Sequence, residues 1–365
     1  AVAVARGDRA EQIFNELPHA VMARLHVRRS DEPAVLYEAV WDRGFASYLL
    51  HSIARHRRFR GAAGEIVAMP TPAFRAVRGR GDVNLEPAVI RAEQSNTSLT
   101  YGDRFILKLF RRPDTGLNPD LEIGRFLTEH PSAVRVPAVA GYLEYRNGRK
   151  EPMTLGILQE FVPNEGDAWS YTLDAVRDYL ERVVTRVANV DLKDVPVPTE
   201  SFCGLLERET PSLAGDMIGA FLQSAELLGK RTGELHIALA SGSEDPAFAP
   251  EPFTPFYQRS IYQSMRTLVA RVFPALEKRL SELPEGVAED ARSLLTREDV
   301  LLERFRRVVD HRLTGMRTRV HGDYHLGQVL YTGKDFVVID FEGEPARPLG
   351  ERRLKRSPLR DVASM

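Results

Sequence analysis

The 365 residues carry 50 basic and 51 acidic side chains, for a formal net charge of -1. Such a balance gives no bulk field to draw nucleic acid or an acidic partner, and the single cysteine, Cys203, excludes a disulfide framework or a cysteine-built metal site. No apolar run reaches membrane-span length and no secretory leader is visible, so the expected setting is a reducing cytoplasm, with neither membrane nor nucleic acid as partner.

In chain order, residues 1 to about 60 read as helical, because Ile13, Leu17, Val21 and Leu25, then Leu36, Val40, Phe45, Leu49 and Ile53, recur near helical spacing. Arg55, Arg57, Arg58 and Arg60 are expected as a solvated helix end. From residue 63 the texture becomes strand-like, at 65–69, 74–77, 89–92, 98–101 and 104–110, with Tyr101-Gly102-Asp103 as a tight turn. A helix is expected from Asn118-Pro119-Asp120 to about Glu129, a capping residue followed by proline. Two further strands span 138–145 and 153–161. The remainder is predicted helical at 171–190, 217–240, 261–283 and 300–313, and Cys203 is expected in an apolar core.

The chemistry concentrates in VHGDYHLGQVLYTGKDFVVIDFEGE, Val320 to Glu344. Two apolar runs, 329–331 and 336–339, flank a turn at Thr332-Gly333-Lys334-Asp335, predicting a hairpin that returns Asp340 beside Gln328. An amide oxygen next to a carboxylate is a hard donor set suited to Mg²⁺. Asp323 precedes Gln328 by the interval that separates base from metal-binding amide in the protein-kinase catalytic loop. A zinc site at His321-Gly322-Asp323-Tyr324-His325 is disfavoured, since no cysteine or histidine partner cluster accompanies it.

Upstream, Lys108 interrupts the apolar strand at 105–110 on the face of Ile106 and Phe110, where an ammonium needs a carboxylate or ligand phosphates. Glu122 is the expected partner and ATP the expected ligand. Gln94, Ser95, Asn96 and Thr97 occupy the turn where kinases place a glycine-rich phosphate loop, and can offer side-chain donors instead. Gln159, Glu160 and Val162, ahead of Pro163, are expected as a hinge presenting backbone groups to adenine.

With QSNTSL (94–99), RFILKLFRR (104–112), NPDLEIGRFL (118–127), LQEFVPNEGDAW (158–169), GELHIAL (233–239), HGDYHLGQVL (321–330) and IDFEGEPARPLGERRLKRSPLRDVA (339–363), the chain resembles the maltokinases, within the aminoglycoside-phosphotransferase-like branch of the protein-kinase-like fold. The resemblance implies an α+β, bilobal fold with an N-terminal cap subdomain (1–85), a kinase N-lobe (86–162) and a helical C-lobe (163–365) truncated at its C-terminus, both chain ends being incomplete. It also implies transfer of the ATP γ-phosphate to the anomeric hydroxyl of maltose, giving maltose 1-phosphate for α-glucan (glycogen) synthesis, with ATP and Mg²⁺ as cofactors. A trehalose synthase domain, fused or associated, is the implied partner.

In that scheme Asp323 is the general base, Gln328 and Asp340 hold the metal and Lys108 holds the phosphates. His325 either contacts the sugar or supports its loop. Glu344, Arg347 and Arg356 are acceptor candidates or structural ion-pair members, and Asp361 is expected to anchor the loop, for example through an arginine. The alternatives are a kinase of the same fold acting on another sugar, an aminoglycoside or choline, and a non-catalytic domain fused to the synthase.

Overall fold

The computed structural model describes residues 1–28, 32–80, 85–90, 96–130, 132–148, 150–187, 199 and 202–365. The expected phosphate-loop residues Gln94 and Ser95 lie outside these, as do residues 91 and 92 of the expected strand, residues 188–190 of the expected helix and the packing of Cys203.

The first 60 residues are not all helical. Strands β1 (Val2–Arg6), β2 (Val21–Leu25) and β3 (Ala34–Glu38) form an antiparallel sheet in the order β1-β3-β2, with α1 (Asp8–Glu16) after the first. Ala5, Ala10, Ile13, Val35 and Tyr37 make its small core. Short apolar alternation such as Val2-Ala3-Val4-Ala5 and Ala34-Val35-Leu36-Tyr37 decides the matter, and the helix-like spacing of Val21 and Leu36 is coincidental. Helix α2 (Arg43–Ala54) follows, N-capped by Asp42, whose carboxylate accepts the Phe45 N–H.

A seven-stranded sheet then takes β4 (Arg58–Arg60) and β5 (Glu65–Pro70) from within the expected cap, so the sheet runs through the boundary expected at residue 85. Arg58 and Arg60 thus belong to an edge strand rather than a helix end. The expected strand at 74–77 is a short helix, α3 (Phe74–Arg78), whose Phe74 packs down onto the sheet. Strands β6 (Pro87–Val89), β7 (Asn96–Tyr101) and β8 (Phe105–Phe110), helix α4 (Pro119–Glu129), then β9 (Val139–Arg146) and β10 (Met153–Glu160) complete the layer, in the order β4-β5-β9-β10-β8-β7-β6.

Strand alternation gives this sheet two apolar faces. Leu99, Phe105, Leu107, Leu143 and Leu158 bury against α2 and Phe74. On the opposite face Ile157 and Tyr142 meet Leu121 of α4.

Helices α5 (Ala168–Val187), α6 (Phe202–Leu205), α7 (Ser212–Ile218) and α8 (Phe221–Leu239) follow. Next come β11 (Glu251–Pro252), α9 (Pro255–Lys278), α10 (Glu285–Leu295), α11 (Glu298–Asp310) and β12 (Met316–Arg317). The hairpin β13 (Val329–Tyr331) and β14 (Phe336–Val338) and two short helices, α12 (Leu349–Arg352) and α13 (Leu359–Ser364), end the chain.

Residues 1–239, 321–354 and 360–365 form one compact unit, and 240–320 with 355–359 a second. In the second, β11 pairs with β12, and buried Lys355 reaches Glu251 (2.8 Å) and the Pro246 carbonyl (2.7 Å). No helix among the described residues is long and apolar enough to cross a membrane.

Candidate active site

The hairpin forms as its sequence requires. Val329 pairs with Val338 and Tyr331 with Phe336, and Gly333 takes the turn at φ +81°. Its open end sets the Gln328 side chain beside the Asp340 carboxylate, while the Gln328 carbonyl accepts the Ile339 N–H at 3.0 Å. Asp340 sits at φ +66°, a left-handed conformation costing a non-glycine residue about 1–3 kcal/mol. Bonds on both sides over-determine it. His321 Nε2 donates to the Ile339 carbonyl (2.8 Å), and the Phe341 N–H donates to Asp120 Oδ1 (3.0 Å).

Lys108 of β8 stands opposite Ser98 and Ile157 in the sheet, and its ammonium meets Asp340 and Glu342 at 2.5 Å each and Asp120 at 3.7 Å. Burial alone would lower its pKa, but the three carboxylates outweigh that and raise it. Asp120 is wholly buried and pushed up to about 6 by desolvation, against the pull of Lys108. Asp340, despite burial, is held below the ordinary carboxylate range by the lysine.

The expected partner Glu122 is not in this cluster. It forms a two-pronged pair with Arg353 (2.9 and 2.7 Å). Asn118 caps α4 by accepting the Asp120 N–H, which fixes Asp120 towards the lysine, and a residue two further on points about 200° away around the helix.

Alternation also sorts the other expected nucleotide contacts. Asn96 lies on the Lys108 face, donates to Glu342 Oε1 (3.2 Å) and leaves a buried Oδ1 without a partner among the described residues. Thr97 faces the other way, its hydroxyl taken by Arg111 at 3.1 Å, so it is not brought to the lysine. Gln159 pairs with Ile106 on the lysine's face. At the expected hinge the Glu160 N–H is used by Ala138 and the Phe161 N–H by Arg104, whereas the Val162 N–H has no partner among the described residues.

The loop carrying Asp323 is braced from below. Gly322 turns at φ +85°, and a β-carbon there would touch Gly343. Asp361, fully buried, accepts the His321 N–H (2.9 Å), the Gly322 N–H (2.9 Å) and His236 Nε2 (3.0 Å). It therefore anchors the loop through backbone amides and a histidine rather than an arginine. Burial would raise its pKa, but these three donors hold it below the ordinary range. His321 is kept neutral by burial. The Asp323 N–H points at its Nδ1 (3.4 Å), and the Asp323 carboxylate is half-buried.

His325 is exposed and accepts the Gly327 N–H at 3.1 Å, a contact that serves the loop. Helix α8 fastens the same region three times. Arg231 forks onto Asp335 of the hairpin turn (2.8 and 3.0 Å), the Thr232 hydroxyl meets Tyr324 (2.9 Å), and His236 meets Asp361.

The arginines after the metal segment are largely spent on structure. Arg347 pairs with Glu351 (3.4 Å), Arg352 donates to the carbonyls of Arg347 and Pro345, and Arg356, in the second compact unit, meets Tyr257 and the Thr318 backbone. Glu344 is half-buried, and among the described residues its carboxylate has no ion pair. Sequence reasoning missed Asp120 and Glu342. The second could have been found by extending the β14 alternation through 338, 340 and 342.

As a chemical device the cluster offers hard oxygen donors from Gln328, Asp340, Glu342 and Asp120. Three carboxylates face one ammonium, leaving two negative charges uncompensated, which suits a divalent cation of the Mg²⁺ kind. Asp323 precedes Gln328 by five residues on the same loop.

Known proteins share the fold and part of the sequence. A glucosamine kinase of Streptacidiphilus jiangxiensis is 26% identical over 337 residues, 88% of this chain, and the chain spans 60% of that protein's length. A glucosamine kinase of Mycolicibacterium smegmatis is 52% identical over 46 residues, 12% of this chain and 11% of its own. A solved glucosamine kinase in complex with glucosamine, ADP and inorganic phosphate aligns with a TM-score of 0.56 at 21% identity, over 94% of this chain and 72% of that one. At that identity the likeness speaks for the fold, an α+β kinase-like architecture. The sequence pattern of the phosphotransferase enzyme family matches residues 87–343, well over half of the chain and inclusive of Lys108, Asp120, Asp323, Gln328 and Asp340, and the chain belongs to that family.

Proposed function

We propose that this chain carries the catalytic site of an ATP-dependent sugar kinase. The observation that carries the reading is the convergence of Lys108, Asp340 and Gln328 on one point, with Asp323 on the loop that leads into it.

In this reading Lys108 holds the α/β-phosphates, and the Val162 N–H is the hinge donor for adenine. Gln328 and Asp340, with Glu342 alongside, would hold Mg²⁺, which when bound neutralises charge on the nucleotide phosphates. Asp323 accepts the proton of the attacking sugar hydroxyl and orients it. Its carboxylate is well suited to this because Asp361 and His321 fix the loop's backbone beneath it. Both His321 ring nitrogens are engaged, Nε2 with the Ile339 carbonyl and Nδ1 facing the Asp323 N–H, so the imidazole serves the loop.

Two acceptors have support. Maltose, phosphorylated at its anomeric hydroxyl, follows from the resemblance of residues 339–363, with a trehalose synthase domain as the partner implied. Arg347, Arg352, Arg353 and Arg356 add nothing to that reading, since they are engaged in structural contacts. Glucosamine is the second reading. It is favoured by the relatives named for it, and by the Glu344 carboxylate, which has no ion pair among the described residues and suits an ammonium.

The test is incubation with ATP, Mg²⁺ and each sugar in turn, read by proton-coupled phosphorus NMR. An anomeric phosphate ester gives a doublet from its single adjacent proton, and an ester on a CH₂ gives a triplet. Preference for maltose with a doublet supports the first acceptor, preference for glucosamine supports the second, and no product with any sugar overturns the kinase reading.

A further inference from the structure

The geometry points to a second ligand site, on the face of the seven-stranded sheet turned away from Lys108: a cavity under α2 that takes an aromatic carboxylate. It is independent of the kinase reading, and none of the groups assigned above to the reaction lines it.

Strand alternation sends Lys108 to one side of β8 and Leu109 to the other. On the Leu109 side α2 covers the sheet, and between them lies a cavity of about 710 Å³. Small-molecule pockets run to about 300–1,000 Å³. The walls are apolar, with Phe45, Tyr48 and Leu49 from α2 and Leu109, Leu143 and Leu155 from the sheet. Leu155 is the extra residue of a bulge in β10, between Thr154 opposite Glu144 and Gly156 opposite Leu143. A bulge breaks the regular packing of strand beside strand. Here Leu49, Leu109 and Leu155 are left only partly buried against the core they touch. Aromatic rings stack on rings or meet them edge to face, and Phe45, Tyr48 and Phe59 offer three such partners in one cavity.

The polar groups of the cavity decide what the ring must carry. Arg111 Nε donates to Thr97 Oγ1 at 3.1 Å, while its Nη2 reaches Glu38 Oε2 only at 3.5 Å. Glu38 has another donor in Trp41 Nε1 (3.3 Å), so it does not depend on the arginine. Arg111 Nη1 and the Thr97 hydroxyl proton have no acceptor among the described residues. Thr97 is 4% exposed and lines the cavity, so its proton is a buried donor facing the space a ligand would fill. A buried donor left unmet is costly. A carboxylate answers both groups, accepting a charge-assisted bond from the guanidinium and a second bond from the hydroxyl. A bare hydrocarbon leaves both unmet, and an ammonium is repelled by the arginine.

Binding of 2-naphthoate and of its neutral counterpart 2-naphthamide is measured by isothermal titration calorimetry. The titrations use the wild-type protein and the variants Arg111→Gln, Thr97→Val and Leu49→Trp. The acid is expected to bind the wild type about tenfold or more tighter than the amide, as hydrogen bonds to a charged group imply. Arg111→Gln should weaken the acid by about tenfold or more and Thr97→Val by about threefold or more. Leu49→Trp, which fills the cavity, should abolish binding of both.

Absence of binding to the folded wild type would overturn the proposal. So would equal affinity for acid and amide, which would mean an apolar void with no site for the carboxylate. Undiminished binding in a folded Leu49→Trp would place the ligand elsewhere and overturn it too. The comparison of acid with amide uses the unaltered protein, so it decides the matter even if a variant does not fold.

Discussion

Replacing Asp361 by asparagine should disable the Asp323 loop without unfolding the protein. The carboxylate takes three donors, with Oδ2 serving both the His321 N–H and His236, and Oδ1 serving the Gly322 N–H. An asparagine would keep its oxygen where two donors converge, which turns its NH₂ against the Gly322 N–H. One charge-assisted bond is then lost, a buried N–H is left unpaired, and the remaining two bonds lose their ionic component. Together these amount to about 2–4 kcal/mol.

Against a total stability of about 5–15 kcal/mol, the variant should remain folded but open locally at residues 320–323. Hydrogen–deuterium exchange of the peptide covering His321 and Gly322 should accelerate about thirtyfold or more, and turnover should fall at least tenfold. The urea midpoint should drop as well. Wild-type exchange in that peptide together with full activity would refute the idea that Asp361 holds the loop.

Asp323→Asn removes the proton acceptor while keeping the shape, so turnover should fall about 10²–10⁴-fold with ATP binding nearly intact; retention of more than about a tenth of the activity would show that Asp323 is not the base. Asp340→Ala should abolish activity or sharply raise the Mg²⁺ requirement, measured as the half-saturating metal concentration, and should also free Lys108 from one of its three carboxylates. The stability that Asp361 supplies has a definite pH signature. Its folded pKa is lower than its unfolded value of about 3.9, so the contribution is complete at neutral pH and is lost as pH falls through the folded pKa. The gap between the urea midpoints of wild type and Asp361→Asn should therefore be constant from pH 7 to 5 and shrink below about pH 4.

The parts of the site legible in the sequence are those fixed by short-range rules. A hairpin turn dictated that Gln328 meets Asp340, and strand alternation put Lys108 on the face that carries the carboxylates. The choice of Asp120 over Glu122 was not legible in that way. The start of α4 at Asn118-Pro119 is as expected, but which of its faces turns to Lys108 depends on how the helix packs on the sheet, and residues two apart point about 200° from one another. Thr97 failed for the complementary reason, since the strand reaches back to Asn96 and its alternation sends the hydroxyl to the far face. The N-terminal 60 residues were misjudged because their five-residue strands are too brief to outweigh a chance helical spacing. Phe74–Arg78 shows tertiary packing overriding a strand-like composition.

Arg231, Thr232 and His236 have a consequence for how this protein can change. Three separate fittings, on the hairpin turn, on Tyr324 and on Asp361, are all indexed to one helix, much as the teeth of several gears are cut on a single shaft. Each residue added to a helix turns everything beyond it by about 100° and advances it 1.5 Å. A one-residue insertion between Thr232 and His236 would leave the hairpin and Tyr324 in place yet swing His236 off Asp361. An insertion before Arg231 would displace all three fittings at once. Substitutions along the exposed side of α8 should be freely tolerated, whereas changes in its length should be strongly selected against. None of the groups assigned above to the reaction lies on this helix, yet its residue count fixes where the loop of Asp323 is braced.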